Sequence, residues 1–372
     1  MKLEQVCCDL IQIPSISGHI TEINRITDYV RHLMTPLGAM VDVIRPADIS
    51  PVIYIRNRDT PCPDVAIVGH LDVVPGDVSQ FSPRVQDGRL YGRGALDMKS
   101  MAAVAFSSMQ FVLENNLPLS FAIVLETDEE VGSRGMQHFI QTHPDFIPRV
   151  VLDIDVGGDI TRIIDACKGA VFATLTATGR AAHGSTPWDG LDANERMFQT
   201  LNRLRARYPY YAADHIVPTD TWVNTMHVGT IAGGKTANIV CDSCTATVDM
   251  RLVPGYTLPQ VERDLNNALG PGVSYDITMH ANAVEIKHDD PLLQAYHQVA
   301  EHVLGTSVGF QHIGGITTSR LLFHRGSTVI YHAATGAGMH GADEWVDLTS
   351  LHQLATIQQT FLHRYIHLFL KK

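Results

Sequence analysis

A chain of 372 residues is long enough for two domains, and 45% hydrophobic with 18% charged residues excludes extensive disorder. A formal net charge of -11 excludes nucleic acid or an anionic membrane surface as the principal partner, leaving a small molecule as the expected ligand. Glu4 and Asp9 interrupt the N-terminal apolar stretch and no apolar run is long enough to span a bilayer, so the sequence predicts a soluble cytoplasmic protein.

Helical periodicity at residues 2–11 and 20–35 is followed by strand-like VDVI, PVIYI and VAIVGHLDVV, a helix in MKSMAAVAFSSMQFVLENN, and strands in FAIVLETDEE and VVLDID. Strands alternating with helices predict an α/β domain with a mostly parallel central sheet, in which ligands gather at the carboxyl ends of the strands. His70 and Asp72, Glu129 and Glu130, and Asp153 and Asp155 all stand at such ends.

Near residue 171 the texture changes. VFATLTATGR, the turn-rich HGSTPWDG, a helix in LDANERMFQTLNRLRARY, strands WVNTMHVGTIAGG and CTATVDMRLVPG, helix LPQVERDLNNALG and strand VSYDITM predict an inserted α+β domain. After Pro291 the α/β pattern resumes with helix PLLQAYHQVAEHVL, strand TVIYHAAT and a last helix from about Asp347 to Leu370. The predicted division is 1–170 and 286–372 for the catalytic domain and 171–285 for the insertion.

In GHLDVVPGD, alternation aims residues two apart toward one side, so His70 and Asp72 suit a metal ligand and its orienting carboxylate. With 19 histidines in the chain, one such pair decides nothing. Four clusters, GHLDVVPGD, YGRGALDMKS, LETDEEVGS and GAGMHGADEW, together supply what a dinuclear zinc site requires: about three protein ligands per metal, a shared carboxylate and an adjacent base. Taken singly, Asp97 could cap the helix after it, and Glu129 and Glu130 could end a strand in solvent. The six cysteines suggest no disulfide framework, and Cys241 and Cys244 form a CxxC inside a strand without a second CxxC to complete a zinc site.

GHLDVVPGD, GRGALDMK and ETDEEVGSRG resemble the signatures of the cocatalytic zinc peptidases and deacylases that include carboxypeptidase G, acetylornithine deacetylase, succinyl-diaminopimelate desuccinylase and aminoacylase. The resemblance covers nearly the whole chain. It implies a catalytic domain with an inserted lid that also mediates homodimerisation, and two Zn²⁺ per chain with Co²⁺ as a substitute. By motif, His70 would bind one zinc with Asp72 orienting it, Asp97 would bridge the pair, Glu129 would be the general base, and Glu130 and His340 would bind the second zinc. The remaining ligand of the His70 zinc falls in VLDIDVGG, where the family usually has Glu followed by Pro; Asp155 is chosen with Asp153 as its rival. GRAAHGSTPW resembles the segment whose histidine crosses the dimer, nominating His183, and TANIVCDSCTATVDMR nominates Asn238 and Arg251 for substrate binding. GGITTSR nominates Arg320 but lacks the acidic residue often found before that arginine.

The expected reaction is hydrolysis of an amide bond next to a free carboxylate, in an N-acyl amino acid or a small peptide. Its alternative is a catalytically inactive metal-binding member of the same fold. GAGMHG also fits GxGxxG after a strand, but no further strand follows its helix, so a dinucleotide site lacks its context. GxSxG is absent.

Overall fold

The computed structural model describes residues 2–208, 220–315 and 317–370. They form two compact units: one of residues Met1–Asp165 with the segments beginning at Ile286 and Thr317, the other of Ala166–Glu285 with a short return around His312. The division falls five residues before the predicted start of the insertion. The cause is local pairing: Val284 and Glu285 lie opposite Cys167 and Ala166, which ties the end of the Arg162–Cys167 strand to the chain returning from the insertion.

In the first unit the strands lie in the order Met40–Ile44, Val52–Arg56, Phe121–Glu126, Val65–His70, Val150–Asp153, Thr328–Tyr331 and Arg162–Cys167. The three central pairings are parallel, Val65–His70 lying between Phe121–Glu126 and Val150–Asp153, while the edges are antiparallel. Every residue of Val65–His70 and of Phe121–Glu126 is buried, as strands covered on both faces must be. Lys99–Glu114 packs against Leu348–Tyr365. Its run of Ala102, Ala103, Val104, Ala105 and Phe106 is apolar nearly all round, so the helix is buried nearly all round. The last helix ends at Tyr365 and runs on as one wider, π-type turn from Ile366 to Leu370.

A second, smaller sheet joins Arg84–Gln86, Arg89–Tyr91, Trp345–Asp347 and Gly336–Ala337. Its first hairpin turns on Asp87 and Gly88, both at positive φ (51° and 74°), the pair that a tight two-residue turn favours. Trp345 lies opposite Tyr91 and Val346 opposite Leu90, so the loops that follow Tyr91 and precede Trp345 leave the sheet side by side.

The second unit is a four-stranded antiparallel sheet in the order Thr225–Gly233, Ser243–Leu252, Gly169–Thr178, Val273–Ala281. Along Ser243–Leu252 burial alternates, with Cys244, Ala246, Val248, Met250 and Leu252 facing a core shared with Leu201 and Leu204 of Ala193–Arg207 and Val261 and Leu265 of Leu258–Ala268. The first of those helices starts where the Asp192 carboxylate accepts the Asn194 and Glu195 amides. Among the described residues no helix is long and apolar enough to cross a membrane.

Candidate metal centre

Three parallel strands end together, which places residues 70–72, 126–130 and 153–155 at one edge of the sheet. His70 is fully buried. Its Nδ1 lies 3.0 Å from the Asp72 carbonyl oxygen, which can only accept, so Nδ1 carries a proton and Nε2 is the nitrogen turned toward the carboxylates. Nε2 stands 3.0 Å from Asp97 Oδ1 and 3.5 Å from Asp155 Oδ1. Burial opposes a charged imidazole here, but Asp155, with Asp72 and Asp97, overrides it and holds His70 well above its ordinary value.

The other oxygen of Asp97, Oδ2, is 3.0 Å from His340 Nε2, which also lies 3.2 Å from the Glu130 carboxylate. Two groups result, His70–Asp97–Asp155 and Asp97–Glu130–His340, each with donor atoms within 4.8 Å of one another and each using Asp97. Burial raises Asp97, yet hydrogen bonds from His340 and His70 outweigh it and keep the carboxylate ionised. The hydrogen bond to Asp97 lifts His340 to about 9. Burial drives Glu130 and Asp155 up to about 6 against the pull of the histidines, with neighbouring carboxylates adding to the rise.

Glu129 belongs to neither group, and burial pushes it to about 7, the range suited to a proton carrier near neutral pH. The turn that carries it is held by Asp72, whose carboxylate accepts the amides of Glu129 (3.2 Å) and Glu130 (3.3 Å) and the hydroxyl of Ser17 (2.7 Å). Asp72 therefore reaches His70 chiefly through its main-chain carbonyl, its carboxylate standing 3.4 Å from Nδ1. Asp153 is turned to other partners: it accepts from Thr317 Oγ1 (2.7 Å) and the Asp155 amide (2.9 Å), and burial raises it to about 7. Arg320 Nη1 donates to the Thr317 carbonyl at 2.7 Å, which fixes the arginine within its own turn and not in either donor group.

The remaining residues singled out in the sequence belong to the second unit. Gly184 N donates to Asn238 O (2.8 Å) and Val240 N to Ala182 O (2.9 Å), so the segments carrying His183 and Asn238 are paired. Ser185 N donates to His183 Nδ1 at 3.1 Å, so the neutral ring keeps its proton on Nε2 and offers a donor there. Asn238 Oδ1 accepts from Thr236. Arg251 is held by Asp249 on the same strand face, Nε to Oδ1 at 2.8 Å and Nη2 to Oδ2 at 3.0 Å, beside the Phe172 ring.

Three residues escaped the sequence reading. Glu344 is a buried carboxylate that accepts the amides of Gly94, Leu96 and Asp97, and Arg93, also buried, is its ion-pair partner. Glu126 is fully buried at the end of its strand, and although Thr318 lies beside it, neither carboxyl oxygen completes a hydrogen bond among the described residues. Burial and nearby Glu129 raise it well above the usual carboxylate range. Its place in LETDEE was visible, but strand alternation alone does not distinguish it from a solvated strand end. The 630 Å³ surface cavity lined by Glu4, Cys8 and His352 shares no residue with the donor groups.

The sequence profile of peptidase family M20/M25/M40 matches residues 66–364, and the chain belongs to that family. It is accordingly a hydrolase acting on amide or peptide bonds, from a metal-dependent family. It is 26% identical over 385 residues to the acetylornithine deacetylase of Edwardsiella ictaluri, covering 96% of each chain. To the succinyl-diaminopimelate desuccinylase of Parvibaculum lavamentivorans it is 26% identical over 324 residues, covering 82% of this chain and 80% of the other. The crystal structure of a dinuclear metal-binding M20 peptidase of Bacillus subtilis superposes with a TM-score of 0.73 over 98% of each chain at 12% identity, a likeness of fold.

Proposed function

We propose that the protein is a dinuclear Zn²⁺ hydrolase that cleaves the amide bond of an N-acyl amino acid or small peptide bearing a free carboxylate, with Co²⁺ accepted in place of zinc. The observation that carries this reading is Asp97, whose two oxygens face two different histidines, each beside a further carboxylate. The donors fit such a pair. His70 has its Nδ1 proton committed to a carbonyl and its Nε2 turned toward Asp97 and Asp155, and the imidazole and carboxylate ligands are those zinc takes. Burial, with neighbouring carboxylates adding to it, raises Asp155, Glu129 and Glu130, and divalent charge beside them favours their ionised forms. His70, Asp97 and Asp155 would hold one ion, and Asp97, Glu130 and His340 the other. When bound, the ions supply Lewis acidity that polarises the scissile carbonyl and makes water easier to deprotonate.

The chain's own residues do the rest. Glu129 takes the proton of the attacking water and delivers it to the departing amine, a task matched to a carboxylate raised to about 7. His183, acting across the dimer, donates from Nε2 to the oxygen on which negative charge develops. Arg251 receives the substrate carboxylate, with Asn238 and Arg320 as further substrate contacts. Arg251 keeps Nη1 uncommitted among the described residues while Asp249 occupies the Nε and Nη2 edge, so the Nη1 end of the guanidinium remains for a carboxylate.

The same reading takes the second unit as lid and dimer contact and the compartment as cytoplasmic. Exposed Trp188, Leu191, Phe198, Ile231 and Ile239 on that unit support burial against a second copy, and the lack of disulfides among the described residues suits a reducing compartment. The test is a turnover screen of the zinc-loaded protein against N-acetylornithine, N-succinyl-diaminopimelate, other N-acyl amino acids and dipeptides. Hydrolysis of at least one carboxylate-bearing class is expected; tight zinc binding with no turnover on any would favour an inactive metal-binding protein.

A further inference from the structure

The loop Gly92–Asp97 and the loop Gly338–Glu344 each bring one residue to the Asp97–Glu130–His340 group, and neither is held by a strand of the large sheet. What joins them is a buried ion pair. Glu344 Oε1 accepts the amides of Leu96 (2.8 Å) and Asp97 (3.0 Å), and Oε2 accepts the amide of Gly94 (3.1 Å) and Arg93 Nη1 (2.8 Å). Arg93 Nη2 then donates to the carbonyl of His340 at 3.1 Å and lies 3.4 Å from that of Pro75. His340 has φ of 62°, in the left-handed region that residues other than glycine seldom adopt, so its main chain needs holding from outside. Gln80 gives a second hold, its Nε2 donating to the carbonyls of Gly341 (2.9 Å) and Ala342 (3.2 Å).

We infer that Glu344 and Arg93 are positioning residues that fix the Asp97 loop against the His340 loop and thereby set the affinity of the second metal group. The inference rests on the two-metal reading. Neither side chain belongs to a donor group; each acts through main-chain groups of the ligands. The first group is less exposed to their loss, because His70 and Asp155 come from strand ends of the large sheet and only Asp97 is shared.

The test measures zinc per chain by elemental analysis after equilibrium dialysis against buffered free Zn²⁺, for wild type, Glu344→Gln, Arg93→Lys and His340→Ala, with circular dichroism and thermal unfolding as fold controls. Wild type should hold two ions. Glu344→Gln and Arg93→Lys should retain the tighter ion and bind the other about ten- to a hundredfold more weakly, as loss of outer-shell support does elsewhere. Arg93→Lys keeps the charge beside Glu344 but cannot span Glu344 and the His340 carbonyl together, so it carries the test if Glu344→Gln does not fold. Two ions retained at wild-type affinity in the folded variants overturns the inference. So does equal weakening of both ions, which would mark a general loosening. If His340→Ala itself keeps two ions of unchanged affinity, the two-metal reading fails, and the positioning role fails with it.

Discussion

The two halves of the candidate metal centre are built on different foundations. The His70 half takes His70 and Asp155 from the ends of two buried parallel strands, and the His70 side chain is 1% exposed. The His340 half takes Glu130 from a large-sheet strand end but His340 itself from a loop of a small sheet whose strands are two or three residues long, and the His340 side chain is 51% exposed. A buried strand end is held by the whole sheet and needs only local tuning, here by the Asp72 carbonyl. A ligand on a loop needs purpose-built anchors, which is the place Arg93, Glu344 and Gln80 fill. Asp97 is the single residue common to both.

The largest effect is therefore expected at that shared carboxylate. Asp97→Ala should lose the paired site and take hydrolysis to background, with zinc per chain measured alongside turnover. A variant that keeps full activity would mean that the halves work separately and that Asp97 bridges nothing. Glu129 and Glu130 split the same comparison more finely, because Asp72 holds both amides while the side chains part company. Glu129→Gln should keep its zinc and lose at least about a hundredfold in rate, the cost typical of removing a general base. Glu130→Gln should weaken zinc in the His340 half. Equal metal content and equal rates in the two variants would contradict the assignment.

How legible each half was in the sequence follows from the same difference. Periodicity exposed the long elements, and the rule that α/β sheets bind ligands at strand ends brought His70, Glu129, Glu130, Asp153 and Asp155 to one edge without knowledge of their contacts. It could not separate Asp155 from Asp153, since two residues apart on a strand end point alike; the hydrogen bonds of Asp153 to Thr317 and the Asp155 amide set them apart. Nor could it show that Asp72 would reach His70 through its carbonyl, because that depends on Ser17 and the 129–130 amides already engaging its carboxylate. The small sheet was missed because strands of two or three residues have no period to read. Arg93 and Glu344, about 250 residues apart, are brought side by side by that sheet.

A third region tests whether the substrate contacts follow the metal halves. Arg251 is held by a bidentate pair with Asp249, both about a third exposed, so the pair contributes little to stability and is better understood as orientation. A charge-assisted bond to a substrate carboxylate contributes on the order of 1.5 to 3 kcal/mol, so Arg251→Ala should lose about ten- to a hundredfold in kcat/KM with zinc content unchanged. Converting the substrate carboxylate to an amide should cost wild type its activity and cost the variant little more. A variant that prefers the acid as strongly as wild type would remove Arg251 from substrate binding.

The smallest expected effect returns to the two halves in the unmodified protein. To leave the His70 half, an ion must part from a histidine and carboxylates closed in by the sheet; the His340 half opens to solvent at a ligand half exposed. Main-chain support for the exposed half comes from a few hydrogen bonds, against a full parallel ladder for the other, and local opening is cheaper where fewer contacts must break. Titration of the two-zinc protein with a chelator should accordingly release one ion about tenfold faster than the other, in line with the outer-shell contribution to such sites. In the protein caught after the first release, His340 should have become reactive toward diethyl pyrocarbonate, mapped by peptide mass spectrometry, while His70 remains protected. Release of both ions in one kinetic phase, or labelling of His70 before His340, would show that burial and sheet support do not govern the order. The halves would then have to be treated as one rigid site, held equally from both sides through Asp97.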